Sequence, residues 1–280
     1  MKLSIITINY NNPDGLRRTI DSVAIQTTKD FEYIVIDGNS TQGDVEIIKE
    51  REFCIGYWVS EPDKGIYSAM NKGVRVAKGD YCLFLNSGDT LYSPKTVEEI
   101  NNIDFDEDFI EGRIITGKGM ACPPEKYTLA SYLYKRNNYH QASLISRKLL
   151  LEYPYDEQLR IASDMKFNIE VLIVHNCSYR PIDIVISNYE PGGRSVTVEH
   201  TEEVQSIYNA FFPPRVMEDY KDYRIMHTFP VSSIKPLLQR MCDSYRLYQV
   251  KLFFEKIFRK PINKNELAEL ERRKSLKSRQ

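Results

Sequence analysis

The first 89 residues alternate between short apolar runs and longer stripes of apolar residues at helical spacing. Leu3 to Ile8 is rich in isoleucine and stops at Asn9-Tyr10-Asn11-Asn12-Pro13. Leu16, Ile20, Val23 and Ala24 then recur as one face of a helix that runs up to Gln26. A second run, Phe31 to Ile36, closes at Asp37-Gly38-Asn39-Ser40; a short helix is expected over 44–51 and a third strand over 56–60. Ile66, Ala69, Met70, Gly73, Val74 and Ala77 form the stripe of a helix packed on a sheet. Tyr81 to Leu85 is almost wholly apolar, which suits a strand buried on both faces. The order β-α-β-α-β-α-β predicts a mostly parallel, twisted sheet flanked by crossover helices.

Each run hands over to polar residues at its carboxyl end: Asn9-Tyr10, Asp37-Gly38, Glu61-Pro62-Asp63 and Asn86-Ser87-Gly88-Asp89. In open α/β sheets, ligands bind in the crevice beyond those ends. Asp89 is the only ionisable group of the last cluster. It suits a divalent cation that in turn holds a diphosphate, while the same four residues also make a plain turn. The first βα turn has no G-x-G-x-x-G and the chain has no P-loop, which excludes the usual NAD and ATP readings. An acidic crevice without a glycine cradle points to a metal that neutralises the phosphates.

Charge sharpens this picture at the carboxyl end. The net charge is −1, so nothing draws the whole chain to nucleic acid. Met226 to Gln280 carries 13 Lys and Arg against 5 Asp and Glu, a net of +8, and the rest carries −9. A basic tail on an acidic body fits a polyanionic neighbour, and the membrane surface is the expectation here, not nucleic acid. The five cysteines form no C-x-x-C pair and read as free thiols of a reducing compartment. With no signal-peptide pattern and no run of 18 apolar residues, the expectation is a cytoplasmic protein, peripheral at most on the inner face of the membrane.

The segments Ser4 to Asn11, Phe31 to Ser40, Ala69 to Gly73 and Gly79 to Asp89, in this order and spacing, resemble the family 2 glycosyltransferases, which have the GT-A fold. Glu61-Pro62-Asp63-Lys64-Gly65-Ile66-Tyr67 is similar to a subgroup acting in bacterial exopolysaccharide and O-antigen assembly, colanic-acid-type enzymes included. The resemblance covers about residues 2–120, continues thinly through His140-Gln141 and Tyr155-Asp156-Glu157 to Asp164, and leaves the last seventy residues unmatched.

The resemblance implies inverting transfer of a sugar from a nucleotide-diphospho-sugar donor to a glycan or undecaprenyl-linked acceptor, assisted by Mg2+ or Mn2+. Asn9 and Tyr10 match the motif where the nucleotide lies, and Asp37 matches the first acid of the second-strand motif. Many relatives carry next to it a second acid that contacts the base. Gly38 stands there instead, which leaves uridine, guanosine and thymidine open. Asp63, Lys64 and Asn71 are the further donor-side candidates; Lys64 either reaches a phosphate or is simply solvated, and Asn71 also reads as a satisfied polar group near the crevice. Asn86 replaces the first acid of the metal motif and Asp89 falls on the last, which binds the ion in the family. Asp164 falls on the catalytic carboxylate, preceded by Ser163 where Glu is usual. Read without the family, Ser163 and Asp164 are caps of a helix over 162–174. His140 and Gln141 resemble an acceptor or phosphate motif, and Arg194 in the loop Tyr189 to Ser195 is a candidate to close over the diphosphate.

Residues 245–260 mix Leu247, Val250, Phe254, Ile257 and Phe258 with Arg246, Lys251, Lys256, Arg259 and Lys260. Such a helix lies on an anionic leaflet or packs on protein. The architecture expected is a GT-A domain over 1–215 and a basic helical extension over 216–280. The activity expected is a glycosyltransferase; a non-catalytic scaffold of the same fold and a nucleotidyltransferase are the other classes weighed, and a homodimer stays open.

Overall fold

The computed structural model describes residues 2–129, 132, 139–190 and 201–219; Arg194 and the basic stretch 245–260 lie outside the described residues. Residues through Pro213 belong to one compact unit. It opens with β1 (Leu3–Asn9), α1 (Pro13–Ala24), β2 (Glu32–Asp37), α2 (Asp44–Glu50), β3 (Tyr57–Ser60), α3 (Ile66–Val76) and β4 (Tyr81–Phe84), the alternation that the hydrophobic pattern predicts. These strands pair in parallel in the order β3-β2-β1-β4.

The near-continuous apolar runs have a simple cause, since both faces of this sheet are covered. Leu3, Ile5, Tyr33, Val35, Leu83 and Leu85 face one core with Leu16, Ile20 and Val23 of α1. Ile6, Ile8, Ile34, Ile36, Cys82 and Phe84 face the other with Met70 and Val74 of α3. Helix α3 lies so close that a Cβ at Gly73 would come within 2.5 Å of the Ile6 side chain.

After β4 the chain adds β5 (Thr90–Leu91), α4 (Thr96–Asn101), β6 (Phe109–Thr116), β7 (Gly119–Ala121), β8 (Ser143–Ser146), α5 (Arg147–Glu152), α6 (Ser163–Asn168), β9 (Tyr179–Asn188) and α7 (Thr201–Phe211). The sheet continues β4-β8-β6-β9-β5, with β7 on β6. Here the pairing is mixed: β4 with β8, β6 with β8 and β5 with β9 are antiparallel, and β6 with β9 is parallel. The first half is therefore parallel throughout, and the second gains antiparallel strands. That difference positions the site. Because β8 runs against β4, the residues just before β8 return to the end where β4 stops. Parallel to β6, β9 delivers its own carboxyl end to the same place.

Helix α6 continues as a π-helical turn over Ile169–Val174, so the expected helix over 162–174 is present with a wider last turn. The expected caps are not made. Ala162 occupies the cap position without a side-chain bond. Ser163 is turned inward, where its Oγ accepts the Asp156 N–H at 2.6 Å.

Candidate active site

At the carboxyl ends of β1 and β2, Asn9 and Asp37 are paired in register. Both are buried, and Asp37 is wholly inaccessible. Its carboxylate accepts from Asn9 Nδ2 at 2.7 Å, from Ser40 N and Oγ at 2.9 and 2.6 Å, and from Ser60 Oγ at 2.6 Å. Asn9 also donates to Asp44 Oδ1 at 2.9 Å. Asn9 and Asp37 thus form a buried polar frame beneath the crevice, with Asn9 Oδ1 left without a hydrogen-bond partner.

Above this frame, Tyr10 is 54% exposed. Asp63 stands half-buried between β3 and α3, its Oδ1 accepting the Gly65 N–H at 2.8 Å. Lys64 beside it is exposed. Asn71, by contrast, is inside the protein. Its amide donates to Tyr155 O at 2.8 Å and Glu157 Oε1 at 3.1 Å, and accepts the Tyr155 N–H at 3.0 Å. What it does is pin the 155–157 segment to α3.

The second group gathers where β4 ends. Asp89 is buried at 5% exposure. Its Oδ2 accepts from Gln141 Nε2 at 3.0 Å and its Oδ1 from the Glu190 N–H at 2.9 Å. Burial pushes the Asp89 pKa up, and the two hydrogen bonds oppose the shift. His140 lies between the two chemical candidates. Its Nε2 is 3.0 Å from Asn86 Nδ2, and its Nδ1 is 3.6 Å from Asp164 Oδ2. With the amide in this orientation Asn86 Nδ2 donates, Nε2 accepts, and the ring hydrogen sits on Nδ1, toward Asp164. The His140-Gln141 pair thus braces Asn86 and Asp89 from one side and faces Asp164 from the other.

Asp164 keeps 31% of its side chain exposed. Its Oδ1 accepts from the Tyr67 hydroxyl at 3.1 Å and the Met165 N–H at 2.8 Å. Burial, then the Asp164 charge, pushes the Tyr67 pKa well up, and its single hydroxyl hydrogen is shared between the Ile161 carbonyl at 2.5 Å and Asp164 Oδ1 at 3.1 Å. Two supports escaped the sequence reading. Tyr67 had a signal, since it closes the Glu61-to-Tyr67 motif. Glu203 of α7 had none: its carboxylate accepts the N–H groups of Arg160, Ile161 and Ala162 at 2.8, 3.1 and 3.2 Å. It serves the start of α6 in place of the missing cap.

Among the described residues no group of three or more His, Cys, Asp or Glu could hold a metal ion. What the crevice does offer is one carboxylate, Asp89, and the amide oxygen of Asn86, buried without a hydrogen-bond partner. This set fits a hard cation that arrives with most of its ligands on a diphosphate.

Comparison with known proteins places the chain in a family and a fold. An uncharacterized glycosyltransferase of Mycobacterium tuberculosis (strain H37Rv) is 33% identical over 211 residues, 68% of this chain and 76% of that protein. A PGL/p-HBAD biosynthesis glycosyltransferase of Mycobacterium bovis (strain BCG) is 31% identical over 207 residues, 71% of this chain and 81% of that one. Among solved structures, S. aureus TarS 1-349 in complex with UDP-GlcNAc superposes with a TM-score of 0.63 at 18% identity, covering 75% of this chain and 65% of that chain. The mannosyltransferase PcManGT from Pyrobaculum calidifontis, in complex with GDP-Man and Mn2+, gives 0.54 at 15%, covering 69% and 58%. At such identities the two structures speak for the GT-A fold. The family model described as glycosyl transferase family 2 matches residues 4–144, and with these relatives it shows that the chain belongs to that family and is a glycosyltransferase.

Proposed function

We propose that this chain transfers a sugar from a nucleotide diphosphate donor to a hydroxyl of a surface-glycan acceptor, with inversion. The observation that carries the reading is the His140-Gln141 brace, which ties the end of β4 to Asp164 through contacts of 3.0, 3.0 and 3.6 Å. One carboxylate on the leaving-group side and one on the acceptor side suit a single displacement. The acceptor oxygen attacks the anomeric carbon opposite the diphosphate, the bond from that carbon to the phosphate oxygen breaks, and the acceptor proton passes to Asp164. Tyr67 and the Met165 N–H hold Oδ1, which leaves Oδ2 for the proton.

Tyr10, Asp63 and Lys64 are the donor-side residues of this proposal, with Arg194 as a second phosphate partner and Asn9 and Asp37 as their frame. When bound, Mg2+ or Mn2+ would neutralise the diphosphate; Asp89 and Asn86 Oδ1 would hold it. The solved neighbours with UDP-GlcNAc and with GDP-Man and Mn2+ support a nucleotide sugar and a divalent ion for this fold. The Glu61-to-Tyr67 motif supports a colanic-acid or O-antigen type of assembly, although relatives named for PGL/p-HBAD biosynthesis match the chain as well. The basic aromatic pattern of 245–260, in an extension over 216–280, supports peripheral contact with an anionic leaflet and hence a lipid-linked acceptor. No described helix is long and apolar enough to cross a membrane.

The test is release of nucleoside diphosphate from a panel of nucleotide sugars, with glycan and lipid-linked acceptors, in Mn2+, Mg2+ or chelator. One donor should be consumed, only with the ion present, and Asp89→Asn should remove that dependence together with the activity. Consumption of no donor under any of these conditions overturns the proposal.

A further inference from the structure

Four donors converge on Asp37, and a carboxylate has about four lone-pair sites in all. Being wholly buried as well, it has nothing left to offer a ligand. Asp63 is the opposite case. Its Oδ1 is committed to the Gly65 N–H, but Oδ2 has no hydrogen-bond partner among the described residues. That oxygen leans over the bare backbone of Gly38: a Cβ there would sit 2.9 Å from Asp63 Oδ2 and 3.1 Å from Cδ2 of Tyr10. An exposed aromatic ring and one open carboxylate oxygen therefore flank the same patch of side-chain-free backbone. A flat heterocycle is read in this way, by stacking on a ring and hydrogen bonding along its edge.

We infer that Asp63 reads the base of the donor, and that the base is a uracil-type imide, uracil or thymine. This rests on the nucleotide-donor reading above and names the class of nucleotide. The pairing edge of uracil or thymine carries one N–H donor between two carbonyls, which matches one open oxygen. Guanine presents two adjacent N–H groups and calls for both carboxylate oxygens side by side, whereas Oδ1 is turned to the Gly65 N–H. Cytosine and adenine also offer an amino N–H, but beside it they set a ring-nitrogen lone pair against the carboxylate where uracil and thymine set their N–H. Gly38 belongs to the same device, because any side chain at that position would push Asp63 Oδ2 aside.

Titration calorimetry of the full chain with UDP, TDP, GDP, CDP and ADP, each with Mn2+, tests this. UDP and TDP should bind about tenfold or more tightly than the other three, and their ratio reports whether the thymine methyl is accommodated. Asp63→Asn should weaken UDP by about tenfold and collapse the preference over CDP, because an amide can satisfy the cytosine edge. Gly38→Ala should weaken UDP in the same sense, with thermal unfolding confirming that both variants are folded. GDP or ADP as the tightest ligand, or an unchanged UDP to CDP ratio in Asp63→Asn, overturns the inference and leaves the donor reading standing. Absence of binding by every nucleotide to the wild-type chain removes the donor reading and this inference together.

Discussion

Asp37 and Asp164 are both carboxylates of the crevice, and the protein treats them in opposite ways. Asp37, at the end of a parallel strand, is sealed and accepts four hydrogen bonds from its own chain. Asp164, in the half with antiparallel strands, is partly exposed, accepts two, and faces His140 across a gap longer than a hydrogen bond. A carboxylate saturated by protein is framework; one with capacity in reserve is available to substrate. The parallel half is a pre-built floor, and the mixed half carries the carboxylate proposed to take the proton.

The largest effect should separate these two residues. Asp164→Asn is expected to lower turnover by about two to four powers of ten, with donor binding and thermal stability near wild type. Turnover close to wild type would break the comparison from the catalytic side. Asp37→Ala should do the reverse. It leaves Asn9, Ser40 and Ser60 donors unpaired in the interior, at a cost of about 3 kcal/mol, read as a lower denaturation midpoint. Weakened nucleotide binding at unchanged stability would make Asp37 a ligand instead.

A third carboxylate sharpens the contrast. Glu111 on β6 is buried, with hydrogen bonds from the Tyr127 and Tyr179 hydroxyls at 2.7 and 3.2 Å, yet burial pushes its pKa up to about 7. The folded state therefore favours the protonated acid. Its stabilising contribution is fully present below the unfolded pKa of about 4.3 and is lost as pH rises through about 7. The whole swing is at most about 4 kcal/mol. Glu111→Gln should flatten the pH dependence of stability across that window, measured by denaturation at pH 4 to 8. An unchanged slope would assign the dependence elsewhere.

The parallel half was legible because helices cover both faces of β1, β2 and β4, so their residues write themselves as unbroken apolar runs. Asp164 could be named only through the family resemblance, since locally Ser163-Asp164 is indistinguishable from a helix cap, and the structure makes no such cap. The work of Gln141 was hidden for a different reason. It holds Asp89 only because β8 returns antiparallel beside β4, and no local pattern encodes that return. The partners of Asn71 were hidden by the same limit. Its position on the helical stripe was visible, but its partners at Tyr155 and Glu157 lie more than eighty positions away.

Glu190 and Glu203 flank the stretch 191–200, which lies outside the described residues, and both are tied into the site. On one side the Glu190 N–H is fastened to Asp89, and Glu190 also pairs with Arg18; on the other, Glu203 grips the peptide groups that lead into Asp164. Two acids only thirteen positions apart in the chain, Glu190 and Glu203, thus reach the surroundings of both Asp89 and Asp164.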